Sequence, residues 1–222
     1  MSVADTGKVP GPFSGWSGLP TKIIVTDLFE RAFVLGLFVY FLSNMLGKGS
    51  GSILIITILL IFSETLPLVL IWSRGPSATM SQRPSDWLLG FAGATAPLLV
   101  IAPQTAPLLP LPICIGLMIA GLSIQVMSKF FLGRSFGIVA ANRGIKVAGP
   151  YRIVRHPIYA GYTLTHIAFL LAQPCWQNLV IYAVGLSLQI MRIMREEQVL
   201  RQDPGYVAYA GEVRYRLLPG VF

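Results

Sequence analysis

Between Gly149 and Gly161 the sequence reads Gly-Pro-Tyr-Arg-Ile-Val-Arg-His-Pro-Ile-Tyr-Ala-Gly, gathering Tyr151, Arg152, Arg155, His156 and Tyr159 into one short passage. Gly149-Pro150 enforces a turn, and Pro157 suits the first turn of a new helix, where its missing N–H costs nothing. Arg155 and His156 then stand at the mouth of that helix, whose free N–H groups and positive dipole end favour an anion. Taken one at a time, Tyr151, Arg152 and Arg155 read as interfacial anchors snorkelling toward lipid head groups. The ordered combination points instead to a site for a carboxylate-bearing ligand.

The second set is Glu196-Glu197, followed by Leu200, Tyr206, Tyr209, Arg214, Arg216 and Pro219. Arg192, Arg195 and Arg201 are helical neighbours able to pair with the two carboxylates. The alternative is functional: one carboxylate accepts hydroxyl or ammonium donors of a polar ligand while the other holds an arginine.

The elements that must position these residues are membrane helices. Hydrophobic residues make up 54% of the 222 and charged residues 12%. A soluble domain has about 25% charged residues, so this chain has too little charge to cover a surface in water, and its mean hydropathy of +0.68 agrees. Four apolar stretches, about Leu28–Leu46, Ser52–Trp72, Trp87–Leu108 and Leu111–Leu132, approach the ~20 residues that cross a bilayer as a helix. Two shorter runs follow, Ile158–Ala172 and Leu179–Met194, with Gln173-Pro174-Cys175 between them. Pro174 ends the first run and predicts a helical hairpin. The expected fold is all-α: a multi-pass transmembrane bundle of five or six helices, the last two paired as a hairpin.

Net charge is +8, from 17 Lys and Arg against 9 Asp and Glu. Nucleic acid is not the partner indicated, because the basic residues lie between apolar runs and no nucleic-acid motif is present. In the six-span layout every Lys and Arg except Lys48 falls on one side, which puts both termini in the cytosol. Residues 1–22 read as a cytosolic tail and not a cleaved signal peptide. Cys114 and Cys175 are too few for a disulfide framework or a metal cluster, and no metal site is expected. A composition break near Lys129 divides the chain into an embedding and substrate-access region, 1–128, and a working region, 129–222. Glu64 is an intramembrane carboxylate and a functional position by default, although hydrogen bonding to a neighbouring helix is the plainer account. His166 reads as a packing residue, yet Tyr159, Thr163 and His166 share one helical face that can line a pocket.

The Gly149–Gly161 passage, joined to Glu196-Glu197-x-x-Leu200 and the Tyr206/Tyr209 tail, resembles the isoprenylcysteine carboxyl methyltransferase family. Its wider superfamily includes phospholipid N-methyltransferases and small-thiol methyltransferases. The resemblance covers roughly residues 130–222. It implies S-adenosylmethionine bound from the cytosolic side by Tyr151, Arg155, His156, Pro157, Tyr159, Gly161, Glu196, Glu197, Tyr206 and Tyr209. Arg155, Glu196 and Glu197 are the residues expected to carry catalysis, and Tyr206–Pro219 resembles a lid. The acceptor implied is lipophilic: a prenylated cysteine carboxylate, another lipid carboxylate, a thiol or a phospholipid amine. Two other readings stand beside it, an NADPH-dependent reductase resembling the membrane sterol reductases and a non-catalytic membrane module.

Overall fold

A computed structural model describes residues 20–45, 52–73, 83–101, 103, 105–133 and 145–222. The N-terminal tail, Lys48, Arg74, Arg134 and Arg143 lie outside the described residues. Among those described there are no strands, and seven α-helices follow one another. They are α1 (Thr21–Met45), α2 (Ser52–Ser73), α3 (Pro84–Thr95), α4 (Leu111–Leu132), α5 (Pro157–Ala172), α6 (Trp176–Leu200) and α7 (Pro204–Glu212).

The bundle has an apolar core around Phe41, Met118 and Phe169, with charged and polar groups buried beside it and large apolar side chains on the outside. Asp27, Glu30, Arg31, Gln125, Ser128, Lys129, Asn178 and Glu197 are all buried, whereas Phe29, Val39, Ile58, Ile119, Phe130, Trp176 and Val184 are exposed. Large exposed apolar side chains mark a surface suited to an apolar neighbour, while buried charges need partners. The partners are present: Arg31 donates to Asp27 at 2.7 Å and to the Trp72 carbonyl at 3.1 Å, joining α1 to the end of α2. Lys129 sits 4.7 Å from the Tyr162 ring centre, donates to Gln125 at 3.3 Å and interacts electrostatically with Glu64. Glu64 is therefore tied to a neighbouring helix. Among the described residues α4 is the one helix long and apolar enough by itself to cross a membrane, and α5 is a shorter apolar helix. In α1 the charges of Lys22, Asp27, Glu30 and Arg31 interrupt the apolar run.

The expected hairpin is present. α5 and α6 are joined by Gln173-Pro174-Cys175 and run antiparallel, with Gln189 donating to the Tyr159 carbonyl at 3.1 Å and His166 stacked on Tyr182 at 4.6 Å. His166 is thus a packing residue. The Cys175 sulfur caps α6 by accepting from Asn178 N.

The third apolar stretch, Trp87–Leu108, is not one helix. α3 stops at Thr95 and a short 3-10 turn over Ala96–Leu99 follows, after which Val100 is extended. Pro97 supplies no N–H for a continuing ladder, and Pro103, Pro107 and Pro110 prevent its restart. Asn178, fully buried, takes over the orphaned backbone: it accepts from Ile101 N at 3.0 Å and donates to Ile101 O at 2.9 Å. Irregular backbone at membrane depth is tolerated where protein satisfies it in this way.

α4 and α5 form the tightest helix pair, because Gly121 and Gly161 face each other. A Cβ on Gly161 would lie 2.7 Å from Gly121 O and 2.9 Å from Gln125 N, both backbone atoms that cannot swing aside. Gly161→Val is expected to prise the helices apart and destabilise the protein by about 1–3 kcal/mol. Denaturant unfolding followed by circular dichroism measures this, and wild-type stability in the variant would contradict the close crossing.

Candidate functional site

The Gly149–Arg152 segment forms a 3-10 turn that leads into α5. Gly149 has φ +60°, and a Cβ there would strike the Phe131 ring, so this turn requires glycine. The turn buries Tyr151 and leaves Arg152 exposed, which separates a site residue from an interfacial one. Pro157 opens α5 as expected.

Arg155 and His156 are held by the C-terminal segment. Arg155 N donates to Tyr215 O at 2.9 Å and His156 N to Arg216 O at 2.8 Å. Arg155 Nη2 also donates to Arg214 O at 3.2 Å. α7, capped by Asp203, carries Tyr206 and Tyr209 into the same place, and both are buried. The Tyr209 hydroxyl donates to Tyr151 O at 2.7 Å.

At the centre lies Glu197, 3% exposed and surrounded by three arginines and His156. Arg155 Nη1 is 3.3 Å and His156 Nε2 3.4 Å from its Oε1. Arg216 Nε donates to Oε2 at 3.0 Å, and Arg201 approaches the same oxygen at 3.6 Å. Burial alone would raise the carboxyl, but contact with His156, the Arg155 charge and the Arg216 hydrogen bond outweigh it and lower its pKa to about 2. Glu197 is therefore ionised and committed to organising arginines.

Glu196 points to different company. It accepts a short hydrogen bond from the Tyr159 hydroxyl on Oε1, with Arg192 Nη2 3.8 Å from that oxygen. His156 Nδ1 is 3.8 Å from Oε2, and the side chain is 22% exposed. Arg192 and Arg201 pair with the two carboxylates as helical neighbours, and Glu197 in addition gathers Arg155 and Arg216 from elsewhere in the chain.

Five buried atoms here lack a hydrogen-bond partner among the described residues: Arg155 Nε and Nη1, His156 Nε2, Glu197 Oε1 and Tyr206 Oη. Arg155 Nη1 and Glu197 Oε1 retain the charge contact, but its alignment is too poor for a hydrogen bond. Burial, followed by the Glu197 charge, pushes the Tyr206 hydroxyl well up, so it remains a donor. Burial likewise pushes Tyr209 up, to about 12. Unsatisfied polar atoms are costly in a folded protein, and clustered ones mark a place completed by a ligand. Their chemistry, mostly donors among arginines beside one half-open carboxylate, suits a zwitterionic amino-acid group.

Residues 110–203 match the family model described as phospholipid methyltransferase. This family lies in the superfamily that the Arg-His-Pro-x-Tyr and Glu-Glu motifs resemble, and it is a family of methyltransferases associated with membranes. The matched region runs from the start of α4 to Asp203 and contains Arg155, His156, Tyr159, Glu196 and Glu197. No curated protein matches the chain.

The structure thus brings together Tyr151, Arg155, His156, Pro157, Tyr159, Glu196, Glu197, Tyr206 and Tyr209. Gly161 is packed closely against Gly121 and Gln125 of α4. Arg192 and Arg216 join the site, although the sequence marked them only as pairing partners or tail residues. Arg216 reaches Glu197 across nineteen positions, a separation that carries no periodic signal. Among the described residues no His, Cys, Asp and Glu grouping is suited to a metal ion.

Proposed function

We propose that this chain is an integral membrane, multi-pass methyltransferase that uses S-adenosylmethionine and acts on a lipophilic acceptor, with both termini in the cytosol. The observation that carries the reading is the cluster of buried polar atoms on Arg155, His156, Tyr206 and Glu197 that lack a hydrogen bond among the described residues. All but Tyr206 lie in a region that matches a methyltransferase family. The many large apolar side chains exposed on the bundle, with charges such as Asp27, Arg31 and Lys129 buried inside it, support the membrane setting.

S-adenosylmethionine supplies a methyl group activated on a sulfonium, ready for in-line displacement. The residues of the chain bind, align and exclude water, which is where most of the catalysis of such a displacement lies. Arg155, His156 and Tyr206 offer spare donors to a carboxylate. Glu196, partly exposed, accepts from an ammonium or hydroxyl group. Tyr151 and Tyr209, both buried and hydrogen-bonded to each other, keep water from that side of the site. The chain itself needs neither a nucleophilic side chain nor a metal ion for this role. A lipophilic acceptor reaches the site sideways between helices, and its head group is a carboxylate, thiol or amine.

Incubating the purified protein with methyl-labelled S-adenosylmethionine and a membrane lipid extract tests the reading. Label is expected in an organic-extractable product with the wild-type protein and at background with Arg155→Ala. Absence of labelled lipid from every acceptor class would count against a lipophilic acceptor. Protection from unfolding by NADPH, but not by S-adenosylhomocysteine, would favour a reductase.

A further inference from the structure

Arg192 lies on α6 one turn before Glu196 and is not part of the Arg-His-Pro or Glu-Glu motifs. Its guanidinium reaches three elements. Nη2 is 3.8 Å from Glu196 Oε1, the oxygen that also accepts from the Tyr159 hydroxyl. The guanidinium carbon lies 5.4 Å from the centre of the Tyr159 ring, within cation–π range. Arg192 also interacts electrostatically with Tyr162 and, less strongly, with Glu30, which is fully buried on α1. Its stem runs past Gly93 of α3, where a Cβ would come within 2.9 Å of Arg192 Cδ. Glu30 and Gly93 both lie outside residues 110–203, the part that matches the methyltransferase family.

We propose that Arg192 is a positioning residue: anchored by Glu30 and the Gly93 notch, it holds the Glu196 carboxylate and the Tyr159 ring in the orientation that receives the methyl donor. The inference rests on the reading of Glu196 and Tyr159 as part of a donor site, and it gives the N-terminal helices a share in building that site. Without the guanidinium, Glu196 keeps its Tyr159 bond and the His156 contact on Oε2 but loses the charge on Oε1, and the Tyr159 ring loses the cation beside it. A carboxylate with fewer partners is held less firmly in one orientation.

The test compares four variants in nanodiscs, with retention of labelled S-adenosylmethionine measured by equilibrium dialysis and folding by thermal unfolding. Arg192→Met keeps the stem and removes the charge, and is expected to weaken retention about tenfold or more, the scale of one lost charged hydrogen bond. Arg192→Lys restores a cation and should recover most of that loss, which a packing role would not predict. Gly93→Ala displaces Arg192 from another helix and should also weaken retention. The double variant Gly93→Ala/Arg192→Met should be no weaker than Arg192→Met alone, because both changes remove one interaction. A folded Arg192→Met protein with wild-type retention would overturn the proposal. So would equal behaviour of the Met and Lys variants, or independent addition of the Gly93 and Arg192 effects. If the folded wild-type protein retains no donor, the donor-site reading fails, and this proposal with it.

Discussion

Replacing Glu197 with alanine is expected to have the largest effect of any single substitution in the site. The change leaves Arg155 and His156 buried and strips Arg216 and Arg201 of their common partner. Removing one member of a buried ion pair costs about 3–5 kcal/mol, because the other charge stays desolvated without compensation. Chemical unfolding in detergent measures the loss, and a loss below ~1 kcal/mol, the usual yield of a surface pair, would contradict the central role of Glu197. The same carboxylate predicts a pH dependence. Its folded pKa, about 2, lies below its ordinary value of 4.5, so the unfolded chain binds its proton first as pH falls. The stabilisation is therefore complete above 4.5 and drains away between 4.5 and 2. In Glu197→Gln this acid-side contribution should be absent, which unfolding midpoints measured across that window will show.

Removing everything after Gly205 is the second change with a large expected result. The truncation takes away Tyr206, Tyr209 and Arg216, and with them the carbonyls of Arg214, Tyr215 and Arg216 that hold Arg155 and His156. At least two of these contacts involve charged groups, each worth about 1.5–3 kcal/mol. Donor affinity should consequently fall by about a hundredfold or more, while the helical signal of α4, α5 and α6 is retained. Calorimetry with S-adenosylhomocysteine and far-UV circular dichroism separate the two effects. Wild-type affinity in the truncated protein would show that the segment only covers the site.

The two parts of the site differ in how openly the sequence announces them. Gly149-Pro150 and Pro157 act locally: a proline fixes φ and removes a donor wherever it falls, so the turn and the start of α5 are legible. Pro174 marks the hairpin for the same reason. Glu196-Glu197 at the end of an apolar run are conspicuous because charge there needs an explanation. The pairing of Arg155 and His156 with Tyr215 and Arg216 is hidden, because it uses backbone groups that every residue possesses. The break of the third apolar stretch at Thr95 was missed because hydropathy registers apolar length and not hydrogen bonding. Pro97, Pro103 and Pro107 are its local signs, and Asn178, which stabilises the break, lies far along the chain. Gly161 is legible as a place of close approach, but the sequence does not reveal which helix approaches. The structure supplies the helix, α4.

The measurement that tests the central claim most directly is calorimetric titration of the folded wild-type protein with S-adenosylhomocysteine and, separately, with NADPH. The account predicts saturable binding of one S-adenosylhomocysteine per chain and no binding of NADPH. It also predicts affinity about ten- to hundredfold weaker in Arg155→Ala, His156→Ala and Glu196→Ala. A folded protein that binds no S-adenosylhomocysteine, or one whose affinity is unchanged in all three variants, would contradict it.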